Sequence, residues 1–148
     1  MAKFFYKMQN ILDIKIKLET QAKNEFAIAN AELAEEEDKL KILNDRRDEY
    51  EQYLKGLYLD KLDVKAIGQA AEAVEIMKYQ IKLQSINVKQ AQKKSEAARE
   101  KLKVAVQDRK THEKLKENAF EVFMAELAAE ESKEIDELVS YRHGQNSE

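Results

Sequence analysis

The sequence has no cysteine, no proline and no tryptophan, and it contains only three glycines. Without cysteine, these residues can form neither disulfides nor thiolate ligands for a metal. Because proline is the strongest helix breaker, its absence allows very long helices. Aromatic residues make up 7% of the sequence and charged residues 37%. This composition is typical of long helices and coiled coils rather than of a compact globule.

The formal net charge of −3 argues against a general nucleic-acid binder, which usually carries a strong basic excess. No segment approaches the roughly 20 apolar residues that a membrane-spanning helix needs. Lys3, Lys7 and Lys15 interrupt the apolar stretch near the start, so no secretory signal peptide is predicted. We therefore expect a cytosolic protein whose contact with a membrane is at most peripheral.

The residues that catalysis and metal binding require are missing or scattered. Gly56 and Gly68 are too isolated to form a phosphate-binding loop, and His112 and His143 lie far apart in the sequence. Acidic runs such as Glu35–Asp38 predict a solvated helix face, because general acid–base catalysis needs a dry pocket that shifts carboxyl pKa values. The sequence therefore predicts no enzyme, no metal site, no cofactor and no small-molecule substrate.

The chain does contain a hydrophobic repeat in alternating steps of three and four residues, interrupted once. Gly56 is suited to a helix C-cap and Asp63 to an N-cap. The sequence thus predicts a first arm at about residues 4–55, a turn at about 56–63, a second arm at about 64–142 and a frayed tail at 143–148. The predicted fold is all-α: one long antiparallel two-helix coiled coil, an α-hairpin over residues 1–148.

Two seams of heptad-spaced residues define the expected core of this coiled coil. The seam of the first arm is Ala29, Leu33, Glu36, Leu40, Leu43, Arg47, Tyr50, Leu54 and Leu57. The seam of the second arm is Ile67, Ala70, Val74, Met77, Ile81, Gln84, Val88, Ala91, Ser95, Ala98, Leu102 and Ala105, weakening at Arg109, His112 and Lys116. Upstream in the first arm, steps of four through Leu18, Ala22 and Phe26 predict a shift in the phase of the supercoil. The apolar face is expected to continue at Met8, Ile11, Ile14 and Leu18.

Charge favours the antiparallel arrangement. Residues 19–63 contain 13 acidic and 7 basic residues, and residues 82–116 contain 11 basic and 4 acidic residues. Folding at residues 60–63 places the two stretches side by side, with facing residue numbers that add up to about 124. Single exposed pairs contribute only ~0–1 kcal/mol, so the charges select the orientation more than they stabilise it. The basic stretch lacks the interleaved aromatic residues of a single-stranded nucleic-acid surface.

Aromatic side chains cluster at the open end of the hairpin, where two helices cannot bury three rings. Phe4, Phe5 and Tyr6 either pack on the second arm near Phe120 and Phe123 or anchor a partner protein, and both roles are compatible. Beyond this point the second arm has no first-arm segment to face, and its residues are strongly acidic. We expect it to fray beyond Ala128, because no partner helix covers it.

Three stretches of the sequence resemble a known family, the flagellar export protein FliJ. They are Phe5–Lys15 near the start, Leu40–Tyr50 before the turn and Asp63–Ile67 after it. The length and the two-arm plan are similar to the family over nearly the whole chain. The resemblance implies an antiparallel coiled coil similar to the central stalk of rotary ATPases.

The resemblance also implies a function. The chain would be a non-enzymatic component of the bacterial flagellar type III export apparatus, serving motility and chemotaxis. Its partners would be the flagellar export ATPase, the large membrane subunit of the export gate, and export chaperones that it escorts. It would then be cytoplasmic and held at the inner face of the cell membrane through the export apparatus. No nucleic acid is expected among its partners.

Two sets of contact residues follow from the resemblance. The export-gate contact, carried over by position, would comprise Tyr50, Ala73, Met77, Gln80 and Gln84. The family often has an aromatic residue where this chain has Ala73. The contact with the ATPase ring, by analogy with the stalk, would comprise Phe4, Phe5, Phe120 and Phe123.

Two other functions are compatible with the same physical pattern. One is a generic structural coiled-coil scaffold or a prefoldin-like chaperone arm, although the segment Leu57–Leu62 is too short and too charged for the oligomerising strands of a prefoldin. The other is the equivalent stalk protein of a virulence injectisome. The stretch Phe5–Lys15 favours the flagellar system over the injectisome.

Overall fold

The computed structural model describes residues 2–146, and two long helices account for most of this part of the chain. Helix α1 comprises Gln9–Tyr58 (50 residues) and helix α2 comprises Val64–Asn146 (83 residues). The two helices pack against each other, and the described residues include no strand. The predicted fold, an α-hairpin coiled coil, is confirmed.

The helix boundaries differ from the expected ones at the start of the chain. Helix α1 begins at Gln9 rather than near Phe4, and residues 2–8 leave the helical path. The Gln9 amide donates to the Tyr6 carbonyl (3.2 Å), which forms a turn just before the helix. Because this segment is not helical, the Phe4 ring can lie across α2 instead of following the face of α1.

The turn is shorter than expected, because Gly56 does not end the first helix. Helix α1 continues to Tyr58, and no glycine in the described part of the chain has a positive φ angle. Asp63 is the N-cap of α2, as predicted: its carboxylate accepts from the Ala66 amide (3.2 Å), and its carbonyl accepts from the Ile67 amide (2.9 Å). At the other end, α2 continues through residues 143–146 of the expected frayed tail, while residues 147–148 lie outside the described residues.

The hairpin divides into two compact units. The turn unit is Gln21–Lys103, and the terminal unit combines Met1–Thr20 with Val104–Glu148. Each unit therefore contains a segment of both helices, and in each one these segments run antiparallel.

Small apolar residues and a few paired polar residues hold the turn unit together. Its buried apolar residues are Ala22, Ala29, Ala70, Val74, Met77, Val88 and Ala91. Buried Gln84 donates to the Glu36 carboxylate (2.5 Å) and to the Glu36 carbonyl (2.9 Å). Ser95 donates to the Asn30 side-chain oxygen (2.6 Å). The facing residue numbers add up to about 124, as the antiparallel heptads predict.

The terminal unit uses a different face of α1 from the one expected. Leu12 and Glu19 are buried, at 3% and 6% exposure, whereas the expected apolar face is exposed by 37–55% at Met8, Ile11, Ile14 and Leu18. The predicted phase shift is therefore wrong. The heptad spacing continues back from Ala22 through Glu19, Lys15 and Leu12.

Charge pairs between the two helices make this polar seam possible. Arg109 donates to the buried Glu19 carboxylate and, at 2.7 Å, to Glu113 on its own helix. Lys15 pairs with Asp108 (3.7 Å). A buried carboxylate is costly unless it is paired and hydrogen-bonded, so the bond from Arg109 helps Glu19 to occupy a core position.

We expect Arg109→Leu to lower the free energy of unfolding by more than loss of an exposed ion pair does, because the buried Glu19 carboxylate then loses its hydrogen bond to the guanidinium. Urea unfolding followed by circular dichroism measures the change. The double variant Glu19→Leu with Arg109→Leu is expected to be at least as stable as the original chain, since two apolar residues suit the seam. Lys101→Leu, which breaks an exposed pair with Glu25, is the control and should cost less than about 1 kcal/mol. If the single and double variants lost the same free energy of unfolding, Arg109 would not be the partner that stabilises the buried Glu19 carboxylate.

Candidate functional site

The terminal unit contains an aromatic cluster formed by the non-helical start of the chain and by α2. The Phe4 ring lies 5.2 Å from the Phe120 ring at 77° and 5.5 Å from the Phe123 ring at 51°. These are favourable edge-on and tilted arrangements. The cluster of Phe4, Phe120 and Phe123 thus fixes residues 2–8 against α2.

Phe5 lies beside this cluster and points away from it. Its side chain is 81% exposed, and Phe120 is 45% exposed. Next to the cluster is an open groove of about 500 Å³, whose apolar walls are Phe4, Leu12, Ile16 and Phe120. Phe4 therefore packs on α2, which is one of the two roles expected of these rings, whereas the Phe5 ring is exposed to solvent.

Polar and charged side chains form the rim of the groove. Gln9, Glu113, Lys116 and Glu117 lie around its opening. Hydrogen bonds from Arg109 first to Glu113 and then to Glu19 raise the pKa of the guanidinium above its ordinary value. Arg109 therefore stays charged, and the polar seam beneath the groove does not titrate through this residue.

The expected gate residues in the turn unit separate into buried and exposed side chains. Met77 and Gln84 are only 7% and 8% exposed, because both occupy seam positions that face α1. Their side chains are not presented to a partner. Tyr50 is 40% exposed, Gln80 is exposed and Ala73 is half-buried.

Tyr50 and Ala73 share a groove on one side of the turn unit. The groove has a volume of about 230 Å³ and is lined by Tyr50, Tyr53, Ala66, Gln69, Ala70 and Ala73. The Tyr53 side chain is 59% exposed. The small side chain of Ala73 leaves this groove open.

A second apolar feature of the turn unit was missed in the sequence analysis. We name it the outer stripe: Ile76, Tyr79, Leu83 and Ile86, which are exposed by 49%, 63%, 46% and 47%. These residues are spaced by three, four and three positions, as the seam residues of α2 are, but they occupy different heptad positions. They therefore lie on the side of the helix that faces away from α1. The signal is present in the sequence as a second heptad-spaced row, which lies outside the predicted seam.

Basic residues accompany the outer stripe. Lys82 and Lys89 follow the stripe at heptad spacing, and Lys78 pairs with Glu75 on the same helix (3.4 Å). The stripe has the spacing of a helix-binding seam, because it presents anchors at the i, i+3 and i+7 positions. It suits an apolar helix that carries acidic flanks.

Within residues 2–146 no helix is long and apolar enough to cross a membrane. In the same range no group of three or more histidine, cysteine, aspartate or glutamate side chains is arranged to hold a metal ion.

The family model described as "Flagellar FliJ protein" matches residues 4–148. The chain belongs to the FliJ family. FliJ proteins are structural components of the flagellar export apparatus, so the match places the chain in flagellar protein export. Neither a curated protein nor a solved structure matches the chain. The FliJ match includes the aromatic cluster, the groove of Tyr50 and Ala73, and the outer stripe.

One buried contact of this FliJ protein has a measurable dependence on pH. The hydrogen bond from Gln84 is the main cause that holds the pKa of Glu36 below its ordinary value, and Lys39 acts in the same direction. Because the folded pKa is the lower one, this contact adds stability above the unfolded pKa and loses it as the pH falls through the folded pKa.

We therefore expect the original chain to lose more stability than Gln84→Leu as the pH falls from about 6 to about 3, since the variant lacks the donor that depresses the pKa of Glu36. Thermal unfolding at a series of pH values measures the two profiles. Gln80→Leu, an exposed glutamine on the same helix, is the control and should follow the original profile. Parallel profiles for the original chain and Gln84→Leu would show that the contact does not depress the pKa.

Proposed function

We propose that the chain is a non-enzymatic coupling protein of flagellar type III export, which binds the export ATPase ring and links it to the membrane export gate. The match to the FliJ family over residues 4–148 carries this proposal. The proposal includes escort of empty export chaperones and a position at the inner face of the cell membrane through the gate. Its consequence for the cell is filament assembly, and with it motility and chemotaxis.

The ATPase contact is assigned to the terminal unit, at Phe4, Phe5, Phe120 and Phe123. Its support is the exposure of Phe5 (81%) and Phe120 (45%) beside an apolar groove. Large exposed aromatic side chains are the residues that most often dominate binding energy at protein interfaces. Phe4 and Phe123 contribute by holding this surface in place rather than by direct exposure.

The gate contact is assigned to the turn unit, but only some of the residues expected from the resemblance remain in it. Tyr50, Ala73 and Gln80 remain in the proposed surface, because their side chains are at least partly exposed. Met77 and Gln84 act beneath it, as seam residues that fix the two helices. The outer stripe extends the surface, and Tyr79 is its most exposed member at 63%.

The two assigned surfaces share no residue, so one chain has separate side chains for each partner. Both surfaces are built on side chains rather than on a catalytic centre, and neither groove is enclosed. The proposed role therefore requires binding and linkage alone, while nucleotide hydrolysis remains with the ATPase.

We expect Phe5→Ala to weaken binding to the export ATPase by about tenfold or more, because it removes the most exposed ring of the terminal unit. The measurement is the affinity of the purified chain for the ATPase under ring-forming conditions, with the rate of ATP hydrolysis followed alongside. The melting temperature should not change, since the Phe5 ring is not packed. Tyr79→Ala is the control and should bind the ATPase normally. Unchanged binding by Phe5→Ala would remove the terminal unit from the ATPase contact.

We expect Tyr79→Ala to weaken binding to the cytoplasmic part of the export gate by about tenfold or more, while Phe5→Ala leaves that binding unchanged. Met77→Ala is the informative comparison. It should lower the free energy of unfolding by about 2–5 kcal/mol, as truncation of a buried methionine does. At a temperature where the variant stays folded, its affinity for the gate should be close to the original. If Met77→Ala weakens binding while folded and Tyr79→Ala does not, the gate surface has been assigned to the wrong residues.

A further inference from the structure

The last part of α2 is a helix that nothing in the described chain covers. Every residue from Ala128 to Asn146 is exposed, yet all of them are helical. We call this segment the overhang. Long helices of globular proteins are stabilised mostly by packing an apolar face, so an uncovered amphipathic helix indicates a missing partner.

An apolar face runs along the overhang and begins at Met124, four residues before it. At 3.6 residues per turn, Met124, Ala128, Ile135, Leu138 and Val139 share one side of the helix, which we name the overhang stripe. Four of its side chains are large and exposed: Met124 by 46%, Ile135 by 59%, Leu138 by 62% and Val139 by 60%. The spacing of Ile135, Leu138 and Val139 is i, i+3 and i+4, the pattern by which one helix anchors to another.

Charge indicates what kind of partner fits this stripe. Residues 126–137 contain six acidic residues and one basic residue. Glu131 lies within the stripe, and Glu134 and Asp136 border its two sides. A surface of this kind attracts a basic helix and repels both nucleic acid and anionic lipid headgroups. The acidic surface also disfavours binding to the overhang of a second copy of the chain, because like charges would then face each other.

We propose that the overhang stripe is a docking site for a basic amphipathic helix of another protein. The apolar face of that helix covers Ile135, Leu138 and Val139, and its lysine or arginine side chains pair with Glu131, Glu134 and Asp136. This site goes beyond the assigned contacts with the ATPase and the gate, because it shares no residue with either. It can be tested on the chain alone, so its outcome is independent of theirs.

The test uses two synthetic helical peptides with leucine at the a and d heptad positions. One carries lysine at the remaining positions and the other carries glutamate. Fluorescence anisotropy measures the affinity of each labelled peptide for the full chain at several salt concentrations. Amide hydrogen exchange then locates the contact. We expect the lysine peptide to bind, to bind more weakly as salt rises, and to slow exchange between residues 128 and 146.

The decisive variant keeps every charge and removes the apolar anchors: Ile135→Ser with Leu138→Ser. It should weaken binding of the lysine peptide by about tenfold or more without changing the melting temperature, because both side chains are exposed. The matched control is Ile28→Ser with Ile42→Ser, two isoleucines of α1 exposed by 60% and 52%, which should leave the affinity within about twofold. A second variant, Glu131→Gln with Glu134→Gln, should weaken binding and flatten its salt dependence.

Three results would overturn the proposal. Unchanged affinity in the Ile135→Ser, Leu138→Ser variant would show charge attraction without a docking stripe. Equal binding of the glutamate peptide would show that the charge does not select the partner. Self-association of the chain that is lost in the same variant, measured by sedimentation, would identify a second copy as the occupant instead.

Discussion

The described part of the chain depends on one constraint: within each unit, two helix segments meet along a narrow seam, and their core is built there. A residue is buried where the heptad points it at the other helix, whatever its chemical type. Glu19 and Gln84 are therefore buried among apolar residues, while many isoleucines and tyrosines remain exposed. The polar seam residues are tolerated because each has a partner across the seam, Arg109 for Glu19 and Glu36 for Gln84.

The same constraint gives meaning to the exposed apolar residues. A narrow seam buries a strip rather than a core, so scattered exposed side chains are expected in a two-helix protein. Exposed apolar residues that form a row at helical spacing are not expected by chance and need a separate explanation. The outer stripe and the overhang stripe repeat the spacing of a seam on helix faces that α1 does not cover. Rows of this kind have the spacing through which a helix recognises a partner.

Much of the fold could be predicted from the sequence, and the errors have physical causes. The heptad spacing of the turn unit and the Asp63 cap depend on nearby residues, and both are observed. The seam of the terminal unit was misplaced because Glu19 and Lys15 are charged, and a local pattern favours Ile11 or Leu18 instead. The guanidinium that makes Glu19 acceptable lies 90 positions away in the sequence. Gln84 was correctly predicted as a seam residue, but the resemblance also placed it in the gate contact, and its burial against Glu36 removes it from that surface.

The two units differ in what holds their helices together, and this difference bears on function. The turn unit packs alanine, valine and methionine side chains, so its helices depend on apolar contact and little on salt. The seam of the terminal unit relies on Glu19, Arg109, Lys15 and Asp108, and exposed members of such pairs contribute little. Its main apolar contacts are Leu12 and the aromatic cluster around Phe4. A partner that covers this cluster would therefore add a large share of the apolar contact in the terminal unit.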